Sequence, residues 1–154
     1  MRIVPATTYR NDLCTPVVTL PLRADPRAPG WVRVVLRDLF SDRKIDEDTA
    51  ADGLVMATEL VTNALQYAPG PYGFGVCAYT GRLPGTGGTS WLVCGVADGG
   101  PPEPLFDRAR AATDPARPEL GGRGLLLVRR LSAGRCGIRR WDDGKAVWFA
   151  VEWP

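Results

Sequence analysis

The chain has 154 residues, 45% hydrophobic and 23% charged, with 19 basic against 17 acidic side chains, a net charge of +2 and no histidine. That composition fits one folded domain with its own core and excludes a disordered chain. Lacking histidine, these residues build no Ser-His-Asp or Cys-His nucleophile pair, no imidazole zinc site and no phosphohistidine.

Residues 1–16 show no periodicity and read as an N-terminal arm, leaving 17–154 as the domain. Val17 to Leu22 reads as a short edge-type strand carrying Pro21. Asp25 before Pro26 predicts a helix start, with Trp31, Val32, Val35, Leu36 and Leu39 on its packed face and Arg33, Arg37 and Asp38 in water. Asp46 to Ala68 is the strongest helical pattern, with Asp48 or Thr49 near its cap and Ala68-Pro69-Gly70 ending it. At about 100° per residue, Leu54, Ala57, Val61, Ala64, Leu65 and Ala68 share one side, and Glu59, Thr62, Asn63 and Gln66 share the other. Glu59 and Asn63 are therefore i, i+4 neighbours on a polar face.

Tyr72 to Thr80 and Ser90 to Ala97 read as two strands of an antiparallel hairpin, joined by a glycine-rich loop over 81–89. Asp98-Gly99-Gly100-Pro101-Pro102 stops the second strand, and the Pro-, Gly- and Arg-rich stretch from Pro101 to Gly124 reads as a functional lid. Gly124 to Leu131 predicts a short helix. Gly134 to Trp141 and Lys145 to Trp153 predict two strands about the turn Asp142-Asp143-Gly144. The order β-α-α-β-β-lid-α-β-β implies an α/β two-layer sandwich, a mixed, mainly antiparallel sheet with helices on one face.

Met1 to Asn11 has no apolar signal core, and runs such as Leu125 to Val128 are too short to cross a bilayer, so a cytoplasmic protein without a membrane segment is expected. The charge balance gives no reason to expect direct contact with nucleic acid. Cys14, Cys77, Cys94 and Cys136 lack metal or redox spacing and read as buried thiols. Both faces of Trp91 to Ala97 are mostly apolar. The face away from the helices is thus either a homodimer or partner surface or is covered by the N-terminal arm.

Four features fall in order: Glu59-x-x-x-Asn63 on a helix, Asp98-x-Gly100 at a strand end, the glycine-rich lid, and Gly122-x-Gly124 opening a helix. Each alone is an ordinary solvated face, turn or helix start. A dinucleotide site would place its glycines after an early strand, and a Walker loop would open a helix with Gly-Lys-Ser/Thr; neither pattern is present. In joint order the four resemble the GHKL superfamily of ATP-binding proteins, the histidine kinase/HSP90-like ATPase fold, and within it the single-domain anti-sigma-factor serine/threonine kinases. Glu59-Leu-Val-Thr-Asn-Ala-Leu-Gln-Tyr-Ala68 is similar to the family's N-box. Val96-Ala-Asp-Gly-Gly100 is similar to its first glycine box, and Gly121-Gly-Arg-Gly-Leu-Leu-Leu-Val128 to its second.

That resemblance implies ATP and Mg²⁺ as cofactors. Asp98, beside Gly100, would accept from the adenine amine, Asn63 would offer an oxygen to Mg²⁺, and Glu59 would be the general base. Gly122 and Gly124 would bring backbone amides to the phosphates. Arg123 either adds a charge to the triphosphate or faces solvent. The implied partners are a sigma factor and an anti-anti-sigma protein whose serine is phosphorylated, the larger machinery of the other branches having no counterpart in these residues. Two positions depart from the family's pattern: Pro102 stands where the first box has its last glycine, and Ala146 where the last strand commonly has a threonine near the adenine. The alternative reading is a nucleotide-gated binding module that transfers no phosphate.

Overall fold

A computed structural model describes residues 15–67, 74–82, 87–98, 122–141 and 144–153. The elements follow the expected order: β1 (Thr15–Leu22), α1 (Ala28–Asp42), α2 (Glu47–Tyr67), β2 (Phe74–Arg82), β3 (Ser90–Asp98), α3 (Gly122–Leu131), β4 (Cys136–Trp141) and β5 (Gly144–Glu152). The strands form one sheet in the order β1-β2-β3-β5-β4, and every described pairing is antiparallel. Residues 1–14 of the expected N-terminal arm, Gly100, Pro102 and most of the proposed lid lie outside the described residues, while Thr15 and Pro16, expected in the arm, open β1.

Helix α1 starts where Asp25 folds back on the chain. Asp25 Oδ1 accepts from the Arg27 backbone N–H at 2.8 Å and from its Nε at 3.0 Å, and the Asp25 carbonyl accepts from the Ala28 N–H. The buried stripe is Ala28, Val32, Leu36, Leu39 and Phe40. Trp31, expected on the packed face, is 43% exposed, because it lies one 100° step off that stripe. Its ring is instead covered by the Arg27 guanidinium at 5.3 Å. The helix ends through Lys44 at φ 55°, with the Ile45 N–H donating to the Phe40 carbonyl and Ile45 itself buried.

Helix α2 is capped by Asp46, two or three residues earlier than expected, whose Oδ1 accepts from the Thr49 N–H at 3.0 Å. Gly53 lets it lie against α1: a Cβ there would stand 2.8 Å from Cε2 of the buried Phe40. Met56, Ala57, Leu60, Val61 and Ala64 are then buried against the sheet and the neighbouring helices.

The core lies between the three helices and one face of the sheet. Even-numbered residues of β3 (Leu92, Cys94, Val96) and odd-numbered residues of β5 (Val147, Phe149, Val151) point into it, as period-two alternation requires. Trp91, Val93 and Ala150 form a second cluster on the opposite face, with Trp148 packed beside them. This is the face expected to be either a homodimer or partner surface or covered by the N-terminal arm, and those three residues are 1–4% exposed within the single chain. Arg135 stacks over the Trp91 ring at 4.5 Å. Cys94 is buried in the main core. Cys136 is half-buried, and burial pushes its thiol above the ordinary range.

Candidate functional site

The site is built where α2 meets α3. Helix α3 packs beside α2 because Leu125 and Val128, one turn apart, are both buried in the main core. Its first residues, Gly122, Arg123 and Gly124, stand at the end where helical N–H groups lack intrahelical partners and the helix dipole is positive. The last three residues of the expected lid, Gly122 to Gly124, are thus already helical, a start that glycine's low helix propensity hides from a sequence reading.

Glu59 lies against that end. A Cβ built on Gly124 would overlap Glu59 Oε2 and stand 3.2 Å from its Cδ. The Glu59 side chain is half-buried, and among the described residues no hydrogen bond or ion pair engages its carboxylate. Asn63, one turn further along α2, is only 7% exposed, and its Nδ2 has no hydrogen-bond partner. The face expected to be wet is therefore half inside: Gln66 is exposed and Glu59 intermediate, but Asn63 is buried. A helical wheel distinguishes polar from apolar; it does not show that a second helix lies across the polar side.

An unpaired buried amide costs about 1–3 kcal/mol, which makes Asn63 Nδ2 a candidate point for a ligand or water to complete. Because the amide turns about its last bond, it presents either an N–H or a carbonyl oxygen. A carboxylate, an amide oxygen and the amino end of a helix form a donor set that suits a hard cation and the phosphate groups it accompanies. Among the described residues no group of three His, Cys, Asp or Glu side chains converges, so the set is not an all-protein metal cage.

The remaining expected residues are placed less fully. Asp98 is the last residue of β3, in register with Lys145 of β5. Arg123 is exposed at the start of α3, and Gly122 is its first residue. Gly100 falls outside the described residues. The departure assigned to Ala146 needs correction. Ala146 pairs with Ala97 and lies on the sheet face away from the helices, whereas Val147, paired with Val96, points into the helix-side core. A hydroxyl at 146 would face away from the helices.

The family profile described as the histidine kinase-like ATPase domain matches residues 22–151, from the last residue of β1 through nearly all of β5. The chain belongs to that family. ATP is the ligand that membership in this ATPase family implies, and Glu59, Asn63, Asp98, Gly122 and Gly124 all lie inside the matched span of the ATPase domain. No curated protein matches the chain. Among solved structures, the crystal structure of full-length ShkA in complex with AMPPNP is similar to this ATPase domain at 19% identity and a TM-score of 0.47, over 91% of this chain and 31% of the ShkA chain. No described helix of the domain is long and apolar enough to cross a membrane.

Proposed function

We propose that this ATPase domain is an ATP- and Mg²⁺-dependent serine/threonine protein kinase of the anti-sigma-factor type, working in the cytoplasm. It transfers the γ-phosphate of ATP to a serine of an anti-anti-sigma partner and holds a sigma factor as its alternative partner. The observation that carries this reading is the pairing of an unengaged Glu59 carboxylate, set against the amino end of α3, with a buried Asn63 amide one turn away that lacks a partner. The chain contains no histidine, so a phosphohistidine on these residues is not the product, and a hydroxyl acceptor fits a carboxylate base.

In this mechanism Asn63 offers its amide oxygen at the phosphate end of the site, and Gly122 and Gly124 present backbone N–H groups to the phosphate oxygens. Asn63 and the phosphate oxygens would hold Mg²⁺, which would supply neutralisation of the phosphate charge. Glu59 accepts the proton of the serine hydroxyl as its oxygen bonds to the γ-phosphorus and the bond to ADP breaks. Asp98 accepts from the exocyclic amine of the purine, and Arg123 adds positive charge at the mouth of the site.

Incubation with γ-labelled ATP and the cognate anti-anti-sigma protein tests the reading. Glu59→Gln is expected to lower labelling about 10²–10⁴-fold, the usual worth of a general base, while leaving nucleotide binding in place. Undiminished labelling removes Glu59 from its role. ATP binding without transfer to any partner would identify a nucleotide-gated binding module instead.

A further inference from the structure

Glycine is required in a chain for one of two reasons, a left-handed backbone or space, and at Gly124 the two can be separated. The described glycines with positive φ are Gly87, Gly88 and Gly134; Gly124 is not among them and sits in the first turn of α3, where alanine is the better helix former. What alanine would meet there is the Glu59 side chain: its methyl would overlap Oε2 and lie 3.2 Å from Cδ and 3.6 Å from Cβ. Gly30 of α1 shows the contrast, with nothing within 4 Å of the corresponding point. The room that Gly124 leaves is thus occupied by the Glu59 carboxylate.

We propose that Gly124 is a positioning residue for Glu59, and that its missing methyl is what holds the carboxylate against the opening turn of α3. For its catalytic consequence this rests on the kinase reading above; the contact itself does not. The overlapping atom is the far end of a flexible side chain, so a methyl at 124 turns the carboxylate aside without prising the helices apart. The fold tolerates the change and the chemistry does not, because displacement of a reacting group by about 1 Å costs up to about 10²-fold in rate.

The test uses Gly124→Ala and Gly30→Ala in the full chain, with ¹³C-labelled glutamate. The Glu59 carboxyl resonance is assigned by its loss in Glu59→Gln. It is expected to shift in Gly124→Ala and to stay in place in Gly30→Ala, with both melting temperatures at or above that of the starting protein. Phosphoryl transfer in Gly124→Ala falls at least about tenfold in kcat. When Gly124→Ala is added to Glu59→Asp, whose shorter side chain leaves room for the methyl, the further loss is less than about twofold, as expected of coupled neighbours. An unmoved Glu59 resonance overturns the proposal. So does an equal loss in both backgrounds accompanied by a raised KM for ATP, since Gly124 would then act on the nucleotide directly. If the starting protein turns over no ATP, the kinase reading fails and takes the catalytic half of the proposal with it. A resonance that still moves marks that as a failure of function and not of geometry.

Discussion

Replacing Asn63 by leucine should make the protein more stable and useless to its ligand. The side chain is more than nine-tenths buried and its Nδ2 is unpaired, so the native fold carries the cost of a stripped amide, about 1–3 kcal/mol. Leucine is close to asparagine in reach, buries apolar surface at the same position of α2 and is the better helix former by a few tenths of a kcal/mol. Allowing for imperfect packing, Asn63→Leu gains about 1–2 kcal/mol. In a domain of this size that raises the melting temperature by about 3–6 °C in the absence of nucleotide. With Mg-ATP at about 100 times Kd the starting protein gains about 2.7 kcal/mol, and the leucine variant gains nothing. Scanning calorimetry with and without Mg-ATP reads both effects. A fall in melting temperature of similar size would mean that the amide is held by a structural partner. A full ATP-induced shift in the variant would remove Asn63 from the binding site.

Other consequences are checked as directly. Gly53→Ala drives a methyl to within 2.8–2.9 Å of two ring carbons of the buried Phe40, and overpacking of about 1–3 kcal/mol outweighs the gain in helix propensity, so urea denaturation should show a net loss. Asp25 is held at about 2, below the ordinary 3.8, chiefly by the Arg27 side chain and also by the Arg27 backbone N–H. A depressed carboxylate stabilises the fold above its unfolded pKa. The melting-temperature advantage over Asp25→Asn is therefore full at pH 5, fades from about pH 4 towards 2, and is reduced by salt because the pair is on the surface. Ala146→Thr should leave the ATP-induced melting shift unchanged, since position 146 faces away from the helices; a larger shift would refute that placement.

The sheet and the long helix were legible because their signals are local. Apolar runs bounded by turn residues mark β3 and β5, and an acidic first turn and apolar stripe mark α2. What the sequence hid depends on contacts between distant segments. Asn63 reads as a wet polar residue until α3 lies beside α2, and Trp31 reads as core until the stripe through Val32 and Leu36 takes the packing face. The opening of α3 is obscured by two glycines that propensity counts against a helix, and one of them is explained only by Glu59, 65 positions earlier in the chain. The Glu59–Asn63 pair was legible as a spacing; its half-buried, unengaged state was not. That Ala146 faces away from the helices rests on its register with Ala97 and on alternation along β5, which the sequence alone does not fix.

The described sheet has two borders, and each is poorly suited to templating another strand. β1 carries Pro16 and Pro21, which have no N–H to give to a ladder, and β4 is only six residues long. Chains held at high concentration therefore gain little by zipping border to border into fibrils, and self-association, where it occurs, has to proceed through side chains. For the partner exchange proposed above, such borders leave little backbone rim on which either companion could stick irreversibly.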